Sequence, residues 1–160
     1  MLADPRQLKM KEIVNTKIKF IEPFRPFAPV ILAEQVNHYF SGSNLQNQYL
    51  PRYMQMVAPI LEDKQEQIQA VCHNGTGRLQ AIRQESNPFY YQVIEKFGEA
   101  TEITVLLNTS YNLRGEPIVN TPEDALRTFV YSDIDLLVMG NFLVDNSNKV
   151  QPVLSKQKVS

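Results

Sequence analysis

The chain has 160 residues, a length that suits one domain and can bury a core without disulfides or a structural metal. Lys and Arg number 16 against 17 Asp and Glu, so the net charge of −1 offers no nucleic-acid-binding signature. The single cysteine, Cys72, excludes an intramolecular disulfide, and no apolar run has the length of a bilayer span or the form of a signal peptide. The expectation is a cytoplasmic protein with no membrane and no nucleic-acid partner.

Asp4-Pro5 reads as a helix cap followed by Pro at the first helical position, with Leu8 and Ile13 on the apolar face and an end near Thr16. In KIKFIEPFRPFAPVIL, Pro23, Pro26 and Pro29 bar a helix. That segment is predicted extended, anchored by Phe20, Phe24 and Phe27, and leads into a strand near Ala28–Leu32. Residues 33–40 read as a short helix, 41–51 as a surface loop, and Tyr53–Ile60 as a strand. Gln65–Gln69 reads as a polar connection. Val71–His73 and Arg78–Ile82 read as strand pieces around the turn Asn74-Gly75-Thr76-Gly77.

Asn87-Pro88 opens a helix with Tyr90, Val93, Ile94 and Phe97 on one stripe and Gly98 near its end. Ile103–Leu107 lacks alternation, which predicts a strand buried on both faces. Thr121-Pro122-Glu123-Asp124 is a strong helix start: a cap, a proline and two acids. Asp135–Met139 and Phe142–Val144 read as strands broken by Gly140-Asn141. The polar tail 146–160 is expected to fray. Alternating strands and helices point to an α/β or α+β domain around a central sheet.

Three polar clusters follow or interrupt the apolar strands. One is Lys17-Ile18-Lys19 with Arg25. The second is His73-Asn74-Gly75-Thr76-Gly77-Arg78. The third is the run Asn108 to Arg114, NTSYNLR. Ligands in sheet-centred domains sit where strands end. Glycines admit a ligand close to the backbone, and arginine forks suit phosphate or carboxylate. Together the clusters have the chemistry of an anion site. Each arginine also fits a solvated role, and Asn108, Thr109 and Ser110 also fit side-chain turns. His73 beside Cys72 lacks any recognised metal spacing, and NGTGR is not a P-loop. No protein-held metal is expected.

The order of these motifs carries a resemblance. MLADPR, KIKFIEPFRPFAPVIL, HNGTGRLQAI, NPFYYQVIEKFGEATEITVLLNTSYNLRGEPIV, TPEDALRTF and DLLVMGNFLV together are similar to the C-terminal domain of the O-carbamoyltransferase family, over residues 1–145. That family includes nodulation and antibiotic-tailoring enzymes of natural product biosynthesis. The resemblance implies a YrdC/Sua5-like twisted mixed β-sheet flanked by helices. It implies binding of ATP, with Mg2+, and of carbamoyl phosphate to form a carbamoyl-adenylate. A separate Kae1-like domain or subunit then transfers the carbamoyl group to the hydroxyl of a small-molecule acceptor, and the metal of that step belongs to the Kae1-like part.

By the same resemblance, Lys19, Arg25 and Arg78 hold phosphate or carbamoyl oxygens, and Asn108, Thr109, Ser110, Asn112 and Arg114 complete the pocket. Two positions depart from the pattern. Ile21 stands where the family carries a cation, and Asn74 stands where Asp is usual. The Gly/Arg-rich segment and the catalytic domain that precede LADPR in the family are not in this sequence. The expectation is therefore a split subunit or an excised fragment that does not complete transfer alone. The alternative is a non-catalytic interaction module that stabilises a Kae1-like partner. A YrdC-like role in RNA modification fits the near-neutral charge poorly.

Overall fold

A computed structural model describes residues 1–19 and 26–146. They form two compact units, one of residues 1–15 and 26–110, the other of 16–19 and 111–146. Arg25 and Ile21, and the expected anchors Phe20 and Phe24, lie outside the described residues.

In the larger unit, Leu2–Ala3 (β1), Ala28–Leu32 (β2), Met56–Pro59 (β3), Thr76–Ile82 (β4) and Val105–Asn108 (β5) form a mixed sheet in the order β1-β5-β2-β4-β3. The β2–β4 pairing is parallel and the other three are antiparallel. The expected α/β sheet domain is thus present, with helices Leu8–Val14 (α1), Val36–Tyr39 (α2) and Pro88–Thr101 (α3) beside it. All five residues of β2 are buried, which is why APVIL shows no polar alternation. Pro29 is tolerated in this inner strand because pairing with β4 begins only at Val30. Ile31, Leu79, Val105 and Leu107 feed the core on one face, while Val30, Leu32, Ile82 and Leu106 meet Ile94 and Phe97 of α3 on the other.

Local chemistry explains where the elements depart from expectation. Asp4 does not cap a helix: its carboxylate takes the Arg6 backbone N–H at 3.0 Å and the guanidinium Nη2 at 2.6 Å, and α1 begins only at Leu8. Tyr53–Ile60 shortens to β3 because Leu50–Tyr53 makes a 3-10 turn ended by Met54 at φ +55°. Glu62–Val71 is helical rather than a plain connection, held by buried Ile68, Ala70 and Val71, so Val71 is not in a strand. The turn Asn74-Gly75 is present, with φ of +49° and +75°, the two left-handed residues of a tight hairpin. Asn suits that conformation as Asp does, which accounts structurally for Asn74. In α3, Asn87 caps the Tyr90 N–H at 3.1 Å, as its sequence predicts. Gly98 lies near the end of the helix, as expected, and the helix runs to Thr101; a Cβ on Gly98 would lie 2.6 Å from Thr104 Cγ2, so the glycine also permits close packing.

In the smaller unit, Pro122–Val130 (α4) packs Ala125 and Phe129 against Leu137, Met139 and Val144 of the hairpin Leu136–Met139 (β6) and Phe142–Asp145 (β7). Gly140, at φ +59°, turns the hairpin. Thr121 accepts the Asp124 N–H at 3.1 Å, the cap expected from TPED. Replacing Thr121 with Ala is expected to cost about 1 kcal/mol, and Thr121→Ser much less. Urea unfolding of the two variants measures this difference.

Candidate functional site

Lys19, a residue of the smaller unit, closes a π-helical turn, Asn15–Lys19, an element that recurs at functional sites. Its side chain is only 5% exposed. The ammonium donates to Asn112 Oδ1 at 2.5 Å and to the Asn112 carbonyl at 3.1 Å. The Asn112 amide nitrogen donates in turn to the Glu116 carbonyl at 2.8 Å, which orients its oxygen toward the lysine. That contact is set by a tight turn, in which the Glu116 N–H reaches the Leu113 carbonyl and Gly115 adopts φ +80°. Arg114 stands exposed on this turn. Burial pulls the Lys19 pKa from 10.5 down to about 8. A nearby anion would reverse that shift, because it would favour the charged form.

In the larger unit, Arg78 is exposed on β4, opposite Val57 of β3. The alternation of β4 puts Arg78, Gln80 and Ile82 on the face covered by α3 further along the strand. Asn108, at the end of β5, reaches over β2 to donate to Gln80 Oε1 at 2.7 Å. Ala28, paired with Asn108, leaves room for that bridge. Arg78 and Asn108 therefore share a sheet face, and Asn108 bonds there to Gln80, two residues along β4 from Arg78. The Thr109 N–H donates to the Met1 carbonyl at 3.0 Å and extends the β1–β5 pairing, while Ser110 is exposed.

The fold thus brings Lys19 to Asn112 in one unit and aligns Arg78 with Asn108 in the other. Asn112 acts as a positioning residue for the ammonium. The amide nitrogen of Asn108 is engaged by a residue not singled out from sequence, Gln80. Its signal was present: Arg78 and Gln80 are the polar alternates of an otherwise apolar TGRLQAI. Among the described residues, no three His, Cys, Asp or Glu side chains gather in a way that could hold a metal, and no helix is long and apolar enough to cross a membrane.

Residues 1–146 match the family described as carbamoyltransferase C-terminus. The nodulation protein NolNO of Sinorhizobium fredii is 39% identical over 145 residues, covering 90% of this chain and 21% of that protein. The nodulation protein NolO of Bradyrhizobium diazoefficiens is 41% identical over 90% of this chain and 26% of its own length. The 3'-hydroxymethylcephem-O-carbamoyltransferase of Streptomyces clavuligerus is 27% identical over 88% of this chain and 26% of that enzyme. The chain spans about a quarter of the length of these curated relatives. With its motif order, its mixed sheet and a match along nearly its whole length, this chain belongs to the carbamoyltransferase C-terminus family.

Proposed function

We propose that this chain supplies the adenylating part of an O-carbamoyltransferase: it binds ATP and carbamoyl phosphate and forms carbamoyl-adenylate. A Kae1-like domain or subunit then passes the carbamoyl group to a small-molecule hydroxyl. The observation that carries the reading is Lys19, a buried ammonium held by an oriented asparagine in a family whose named members include a carbamoyltransferase. A buried cation of this kind gains most from an anionic ligand, because little water competes with the contact.

The chemistry assigns work to these side chains. Carbamate is a poor acyl donor. Water first splits carbamoyl phosphate into phosphate and carbamate; a carbamate oxygen then bonds to the α-phosphorus of ATP, pyrophosphate leaves, and the carbamoyl group acquires a good leaving group. Several negative oxygens crowd together in that step, and fixed donors lower its barrier. Lys19 and Arg78 are proposed to contact those oxygens, as is Arg25. Arg114, Asn112, the Ser110 hydroxyl, Asn108 and Thr109 are proposed as further ligand contacts. Each charged hydrogen bond contributes on the order of 1.5–3 kcal/mol. Mg2+ would ride on the phosphates, which suits a chain whose described residues gather no cluster of three carboxylate, His or Cys side chains.

The test is pyrophosphate release dependent on both ATP and carbamoyl phosphate, with and without a Kae1-like partner. Arg78→Ala is expected to lower that rate by about 10²-fold, as loss of a donor to a developing charge does. Absence of nucleotide binding and of pyrophosphate release in both conditions rejects the proposal. Partner activity that depends on this chain yet survives Arg78→Ala and Lys19→Met would instead identify a non-catalytic module.

A further inference from the structure

The hairpin of β6 and β7 is more apolar than its surroundings require. An antiparallel sheet with one wet face alternates apolar and polar residues. Leu136-Leu137-Val138-Met139 does not alternate, nor does Phe142-Leu143-Val144. The inward positions are accounted for, because Leu137, Met139 and Val144 pack with Ala125 and Phe129 of α4. The outward positions are Leu136, Val138 and Leu143, which are 52%, 72% and 66% exposed. Val138 stands directly across from Leu143, and Leu136 lies two residues before Val138 on the same face. The three therefore form one patch. In the larger unit β2 has the same unbroken apolar pattern and is buried throughout; the outer face of β6 has no such cover. Among the described residues no third strand joins this two-stranded sheet. Contiguous apolar patches of this kind mark interaction surfaces.

We infer that this outer face docks the N-terminal part of a carbamoyltransferase, through an apolar surface with basic residues at its margin. The inference rests on the partnership proposed above and names the surface that serves it. The family match runs to residue 146 and includes both strands, so the hairpin belongs to the region shared with longer proteins. That region is described as a C-terminus and spans about a quarter of the curated relatives, which leaves about three quarters of the same polypeptide ahead of it. A tethered neighbour stands at an effective concentration on the order of millimolar, which a freely diffusing partner rarely reaches. Charge argues against a second copy. Asp133 and Asp135, both exposed, lead into β6 and give the face an acidic margin. Another copy brings aspartates to that margin, where a complementary surface brings lysine or arginine.

A photo-crosslinking amino acid at position 138 of the full chain, in its native cells, tests the assignment, with products identified by peptide mass spectrometry. Peptides similar to the portion of NolNO that precedes its C-terminal match are expected, whether in the same polypeptide or in a separate subunit. Crosslinks to residues 1–160 of this or a second copy, to an unrelated protein, or to nothing overturn the inference. Leu136→Thr combined with Leu143→Thr keeps strand propensity while making the patch polar. The pair should lower the crosslink yield about tenfold or more. Val93→Thr, at an exposed site on α3, should leave it unchanged. Undiminished crosslinking in the folded double variant, or equal loss with Val93→Thr, also overturns the inference. Pyrophosphate release by this chain without a partner should be unchanged in the double variant. Loss of adenylation and loss of docking are therefore read separately: a crosslink to the N-terminal part without pyrophosphate release rejects the first and keeps the second.

Discussion

Lys19→Met is expected to reduce carbamoyl-phosphate-dependent pyrophosphate release by about 10²–10³-fold, the loss that follows removal of one preorganised donor. Methionine fills a similar volume, so the effect reports charge rather than packing. The lowered pKa supplies a second readout. With a pKa near 8, Lys19 is mostly neutral at pH 9 in the unliganded protein. An anionic ligand beside it restores the proton. ATP or carbamoyl phosphate binding at pH 9 should therefore take up close to one proton, and binding at pH 7 almost none. Calorimetry in buffers of different ionisation enthalpy measures the uptake. Its loss in Lys19→Met assigns it to this side chain. Equal proton uptake in both proteins would remove Lys19 from the site.

The same shift has a consequence for stability, with a definite sign. Lys19 is harder to protonate folded than unfolded, so between about pH 8 and pH 10.5 the unfolded chain binds more protons. Folding stability from this group therefore rises with pH across that window, is complete above it, and is lost as pH falls through 8. The difference between wild type and Lys19→Met should shift in favour of wild type between pH 7 and pH 11. Taking the difference cancels the other lysines and tyrosines that titrate there.

Leu107→Ala is expected to destabilise the larger unit by about 3 kcal/mol, within the range for a leucine truncated in a closed core. Leu107 is fully buried and pairs with Ala3 on one side and Pro29 on the other. Its neighbour Asn108 reaches Gln80 only while that register holds. Loss of stability should therefore accompany loss of nucleotide binding, whereas Gln80→Ala should weaken binding with a smaller cost in stability. Val57→Ala, at a side chain 61% exposed, serves as the surface control and should stay within about 0.5 kcal/mol. Urea unfolding measures all three.

Much of this protein can be read from the order of its residues. APVIL and VLL are strands because continuous apolar runs between turn signals leave no solvent face, and both prove buried throughout. Thr121 and Asn87 start helices because their side-chain oxygens satisfy amides only three residues away. Asn74-Gly75 turns because both residues accept left-handed backbone. These are short-range effects, and the family motifs are likewise written in contiguous stretches. Asp4 shows the limit: it reads as a helix cap, but its carboxylate is taken by Arg6 instead.

What only the tertiary structure decided is which polar groups meet. Lys19 and Asn112 are 93 residues apart in the chain, and Gln80 and Asn108 are 28 apart. No periodicity or propensity encodes such pairings, because they follow from sheet order and strand register. Desolvation of the Lys19 ammonium depends on how the packed chain surrounds it, and that is a property of the folded protein alone.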